Sequence, residues 1–191
     1  MMMLDDTRSS RDLITALFSQ GCFEEGMSRL GSVSHMSQVV ELECLGNLHF
    51  YKRELQIAVE KYEAAISIDP TYMISRYQYL VGTQDERRGD FVAAFKRYQA
   101  AIDIEPSFLD PYIELGGLLV KVGDLEGAAQ CYRDAVRLAP SDLSVLYNLK
   151  SVLAKLNFDT PETYAAELAK VEVAYDTLEK SGAALPEKRS W

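Results

Sequence analysis

Apolar and small residues recur along this chain with a helical rhythm, and the rhythm itself repeats. Leu45-Gly46, Ala58, Tyr62 and Ala65 precede Pro70; Val81-Gly82, Ala94, Tyr98 and Ala101 precede Pro106; Leu115-Gly116, Ala128, Tyr132 and Ala135 precede Pro140. All these landmarks move together, by 36 residues and then by 34. Each tyrosine follows one alanine by four positions and precedes another by three, the spacing of a single helix face. In-phase landmarks at such a period mark an array of supersecondary units, here two antiparallel helices each.

Each landmark has a physical reason. The two helices of a unit must approach closely, so Gly46, Gly82 and Gly116 are expected at their contact, answered by Ala58, Ala94 and Ala128. A larger side chain there would overpack the contact at a cost of about 1–3 kcal/mol. Tyr62, Tyr98 and Tyr132 are wedges between helices. Gly89-Asp90 and Gly123-Asp124 suit the turn inside a unit, the glycine for a left-handed residue and the aspartate for capping the next helix. The prolines punctuate one unit from the next, because proline is not tolerated in a helix interior. Two extra residues between Pro70 and Gly82 predict a lengthened junction near Met73 and Ile74.

These residues resemble the tetratricopeptide repeat family, whose pattern carries W-x2-L-G-x2-Y, then A-x3-F, then P. Repeats are expected over 39–72, 75–108 and 109–142. Leu42, Gln78 and Tyr112 stand in the usual Trp site, and His49, Asp85 and Leu119 in the usual Tyr site, so the first helix of the second repeat matches least well. Upstream, Leu13, Leu17, Gly21, Phe23, Gly26 and Leu30 reproduce the spacing of the third repeat, which predicts a degenerate repeat over 7–38 with a shortened second helix. Downstream, Leu146, Leu149 and Leu153 continue the pattern, Lys150 replaces the small residue, and 157–161 reads as a turn. Tyr164, Leu168, Val171, Tyr175 and Leu178 then form one apolar stripe, as a solenoid end requires. A diverged terminal helix pair is expected over 143–180 and a flexible tail over 181–191. The resemblance implies an all-α fold, a right-handed superhelical α-solenoid of antiparallel helix pairs forming one domain over 1–191 with a C-terminal capping helix.

Composition narrows the function. The chain is 48% apolar and 26% charged, ordinary for a globular protein, and no stretch approaches the roughly 18–20 apolar residues of a membrane span. No secretory leader is read at Met1–Arg11. Cys22, Cys44 and Cys131 are odd in number and far apart, which suggests neither a disulfide framework nor a zinc site, and a reducing cytoplasm is expected. The net charge of −9, from 29 acidic and 20 basic residues, argues against nucleic acid and anionic membranes; Arg87, Arg88, Lys150 and Lys155 do not read as a basic concentration along the chain. His35 and His49 lie in no metal or nucleophile motif, and there is no phosphate loop. No cofactor, metal or catalytic activity is expected.

In proteins of the resembled family, first helices of successive repeats line a concave groove that holds extended peptides or partner helices. The corresponding positions here are Asn47, Phe50, Arg76, Tyr79, Thr83, Ile113, Gly117, Tyr147 and Ser151. Tyr79, Ile113 and Tyr147 fall at equivalent places, 34 residues apart at each step, and predict an aromatic–aliphatic strip. The clamp with which some family members hold chaperone tails is missing: its places read Glu43, Asn47, Leu80, Asp110 and Glu114, of which only Asn47 matches, and the carboxylates would repel a C-terminal carboxylate. The expected function is a non-enzymatic adaptor or assembly scaffold that binds an extended, partly apolar segment of a partner protein. The rivals are a secretion or assembly chaperone protecting a specific client, and a structural repeat protein that self-associates into a homo-oligomer.

Overall fold

The computed structural model describes residues 3–181, with side chains described from residue 9 onward. The described residues form ten helices and no strand: α1 (Met3–Ser19), α2 (Phe23–Ser32), α3 (Gln38–Tyr51), α4 (Leu55–Ile68), α5 (Ser75–Arg87), α6 (Phe91–Ile104), α7 (Leu109–Val122), α8 (Leu125–Leu138), α9 (Leu143–Asp159) and α10 (Pro161–Lys180). The all-α fold of helix pairs is therefore as expected, one pair for each segment of the sequence pattern. α2 has 10 residues where α4, α6 and α8 have 14, the shortened second helix expected of the degenerate leading repeat. Beyond Ser181, the expected tail lies outside the described residues.

The chain divides into two compact units, with the boundary inside α5 between Leu80 and Val81. In unit 1, α1 packs on α2 and α3, and α3 on α4, around Ile14, Phe18, Leu30, Cys44 and Leu48. In unit 2, α7 packs on α6 and α8, and α9 on α8 and α10. One core joins Ala128, Ala129 and Tyr132 to Leu143, Leu146, Leu149, Val152, Leu153 and Leu156, closed by Val171 and Tyr175 of α10. Tyr164, Leu168 and Leu178 pack against the same core, so the stripe read in the sequence is the inward face of α10.

The glycines do sit where paired helices touch, but tyrosine rings are their nearest neighbours, not the alanines. A Cβ on Gly46 would collide with the Tyr62 ring; on Gly82 it would lie 2.8 Å from Cε1 of Tyr98, and on Gly116 2.7 Å from Cε1 of Tyr132. Tyr62 and Tyr98 are fully buried and Tyr132 nearly so. The small residue and the wedge are thus one contact, with a flat ring lying on bare helix backbone. The terminal pair replaces it: Lys150 stands in the glycine position, and its ammonium lies 3.8 Å from the centre of the Tyr175 ring, a cation–π contact. Arg133 of α8 also donates twice to Glu167 of α10, at 2.7 and 2.8 Å.

The turns follow their local residues. Gly89 and Gly123 are left-handed, with φ of +83° and +88°, and Asp90 and Asp124 accept from the backbone N–H of Ala93 and Gly127, each at 2.9 Å. In the first repeat the equivalent residue is Arg53, left-handed at φ +65° without being glycine. Pro70, Pro106 and Pro140 each come one residue after the helix-ending Asp69, Glu105 and Ala139, and residues 71–74 form the lengthened junction. The expected turn over 157–161 is corrected: α9 continues through Asp159, and Thr160 both ends it and begins α10. Burial of Leu156 in the terminal core favours this extra turn.

Two outcomes follow. A Cβ on Gly123 meets nothing within 4 Å, so Gly123→Ala should cost only backbone strain, about 1 kcal/mol, seen as a lower urea midpoint with an unchanged denaturant slope. Hydrogen bonding from Arg133 holds the Glu167 carboxyl below its ordinary 4.5, so the folded state binds fewer protons than the unfolded one. The stability it contributes is present above pH 4.5 and is lost as pH falls through the lower native value. Stability curves measured against pH should therefore lose part of their acid sensitivity in Glu167→Gln.

Candidate functional site

Four of the nine positions assigned from the sequence lie inside unit 1. Asn47, Phe50, Arg76 and Tyr79 are 1%, 2%, 4% and 0% exposed. Asn47 donates to the Thr15 hydroxyl at 3.0 Å and accepts from the Tyr62 hydroxyl at 2.8 Å, tying α1, α3 and α4 together. Phe50 and Tyr79 meet edge to face, with ring centres 6.1 Å apart. Arg76 donates to the Tyr51 hydroxyl at 2.8 Å and lies 5.4 Å from the Tyr51 ring centre and 6.0 Å from that of Phe50. These side chains carry the packing of unit 1. Two of the former clamp places are occupied internally as well: buried Glu43 accepts from Tyr72 at 2.6 Å and lies 3.6 Å from Arg11, and Asn47 is committed as above.

The other five positions belong to unit 2 and reach solvent. Thr83 on α5, Ile113 and Gly117 on α7, and Ser151 on α9 are half-buried, while Tyr147 on α9 is 54% exposed. Tyr147 is nevertheless held. Its ring centre lies 6.2 Å from that of Tyr175, whose ring also meets Lys150, and the Ser151 hydroxyl donates to the Tyr147 carbonyl at 2.7 Å. The structure thus joins Tyr147 and Ser151 to Tyr175 and Lys150, two residues that the sequence reading assigned to the end cap. The signal for them was the one break in the glycine phase, at Lys150.

Several ionisable groups of both units are engaged in holding the fold. Glu86 accepts from Tyr98 at 2.7 Å and from Lys121 at 2.5 Å; burial and then the Glu86 carboxylate push the Tyr98 phenol above its ordinary range. Burial raises the Tyr132 phenol to about 12. Burial likewise raises the thiols of Cys44 to about 12 and Cys131 to about 11, so both are protonated and poor nucleophiles at neutral pH. His49 lies half-buried with Nδ1 2.5 Å from Glu54. Among the described residues no group of three or more His, Cys, Asp or Glu could hold a metal ion. What this surface offers is contact area and hydrogen bonding.

Comparison with known proteins bears on the fold. The family model described as tetratricopeptide repeat matches residues 87–153, from the end of α5 into α9, where two further sets of landmarks recur in phase. Residues 87–153 thus match the tetratricopeptide repeat family. No curated protein matches it in sequence. Among solved structures, this repeat protein is similar to a crystal structure of MamA, at 18% identity and a TM-score of 0.54, covering 88% of this chain and 95% of that one. A second structure of MamA gives 17% identity and a TM-score of 0.51, covering 93% of each chain. At such identities the likeness establishes a shared fold.

Proposed function

We propose that this chain is a tetratricopeptide repeat protein and a non-enzymatic binding module, an adaptor or assembly scaffold that holds an extended, partly apolar segment of another protein. The carrying observation is Tyr147: a large aromatic group left 54% exposed yet backed by Tyr175 at 6.2 Å. A fixed, half-exposed tyrosine offers contact area at little entropic cost, which is why such residues dominate interface energetics. Ile113 occupies the equivalent position one repeat earlier, and Thr83, Gly117 and Ser151 supply a face small enough for a main chain to approach.

The site is accordingly centred on the first helices of unit 2. Asn47, Phe50, Arg76 and Tyr79 are not part of it, since their side chains are consumed within unit 1. Chaperone tails of the clamp-bound type are not its ligands, because Glu43 and Asn47 are both bonded internally. Catalysis is no part of the proposal, in keeping with the protonated thiols. Free Cys22, Cys44 and Cys131 suit a reducing cytoplasmic setting, and no described helix is long and apolar enough to cross a membrane.

Selection from a displayed peptide library tests this directly. Enriched sequences should carry spaced aliphatic or aromatic residues and no preference for an acidic C-terminus. Their affinity should fall at least about tenfold in Tyr147→Ala, the scale expected of a central hot spot. Unchanged affinity in a variant of equal helicity would remove this face as the site.

A further inference from the structure

α5 and α7 carry a cation in their last turns, and α9 carries one at the same repeat position, one turn before its end. Arg87, Lys121 and Lys155 are separated by 34 residues at each step, and Arg88 adjoins the first. All four are exposed. Read singly along the chain they are scattered; the repeat phase brings them to one register. Lys121 of α7 reaches Glu86 of α5 at 2.5 Å, and Leu119 and Val120 of α7 pack against the core containing Leu153 and Leu156 of α9. Repeat phase and the Lys121–Glu86 contact therefore put these cations in one register along an edge of unit 2.

The carboxylates along this edge are mostly committed elsewhere. Asp85 lies 3.9 Å from Arg97, Glu86 accepts from Tyr98 and Lys121, and Asp90 and Asp124 cap the helices that follow. Asp159 at the end of α9, Glu126 in the first turn of α8 and Glu162 in the first turn of α10 are exposed carboxylates. Large apolar groups stand beside the cations: Val122 is 55% exposed next to Lys121, and Phe158 is 87% exposed one turn after Lys155. A cation in the last turn of a helix has a reason of its own, since the macrodipole favours it there. That reason does not extend to an apolar group bared beside it, and Phe158 is the most exposed large hydrophobic residue described.

We propose that this edge docks an acidic segment of a partner protein, its carboxylates on Arg87, Arg88 and Lys155 and an aromatic or aliphatic side chain against Val122 and Phe158. The surface is separate from the face carrying Ile113 and Tyr147, being about two helical turns away along α7 and α9. Charge complementarity selects the occupant. A short acidic segment responds chiefly to the local row, because charges beyond a Debye length of about 8 Å are largely screened at physiological salt. A long nucleic acid would extend past the row into a chain of net charge −9.

The test is fluorescence anisotropy on the full chain with a labelled short peptide of glutamates around one phenylalanine, and a twin with glutamine for every glutamate. The acidic peptide should bind at least about tenfold more tightly than its twin, and its affinity should fall as salt rises. Arg87→Gln, Arg88→Gln and Lys155→Gln combined should weaken it at least about tenfold and Phe158→Ser about threefold. Lys121 is left in place because it balances Glu86. Lys96→Gln with Lys170→Gln, exposed cations elsewhere in unit 2, should change nothing. Equal binding of the twin, full binding by the combined variant at equal helicity, or tighter binding of a single-stranded oligonucleotide of matched charge would overturn the proposal.

Discussion

The close contact of a glycine on one helix with a tyrosine ring on its partner is the constraint from which the rest of this structure follows. Gly46 with Tyr62, Gly82 with Tyr98 and Gly116 with Tyr132 leave no room for even a methyl group. A flat ring on bare backbone sets how near two helices come, and the rows of side chains on either helix must then mesh at that separation. In the first two contacts the tyrosine hydroxyl reaches a polar partner as well, Asn47 on α3 and Glu86 on α5. A buried phenol needs such a partner, and here it also orients the ring.

The same constraint explains why the ends depart from it. In the leading pair the roles are exchanged: the glycine is Gly26 on the second helix and the ring is Phe18 on the first. The terminal pair relinquishes the glycine altogether. Lys150 meets Tyr175 through its charge, and α10, freed from the repeat pattern, turns its apolar stripe inward. That departure leaves Tyr147 both exposed and supported. The candidate binding face is thus a consequence of how the array ends.

Much of this was legible in the sequence because it is decided locally. Glycine at a left-handed turn, aspartate at a cap and proline past a helix end act within a few residues, so the pairs fell where the landmarks placed them. Burial was harder to read. Tyr79 and Tyr147 occupy the same register, yet one is 0% and the other 54% exposed, because Phe50, 29 residues earlier in the chain, meets one ring whereas the other has only Tyr175 behind it. Repeat phase gives the position of a side chain and not what covers it. Arg53 shows the converse: its left-handed backbone is imposed by the turn against the residue's own preference. At Asn157, a residue that often stops helices, the buried Leu156 before it outweighs the local signal.

The dependence on the glycine–tyrosine contact is tested most directly by exchanging Gly116→Ala with and without Tyr132→Ala and measuring unfolding free energies. In the native background the alanine should destabilise by about 1–3 kcal/mol through overpacking, although alanine is intrinsically the better helix former by about 1 kcal/mol. With the ring removed, that intrinsic preference should emerge and the same exchange should become neutral or stabilising. Equal effects of Gly116→Ala in both backgrounds would mean that the two residues are not coupled and would contradict the account.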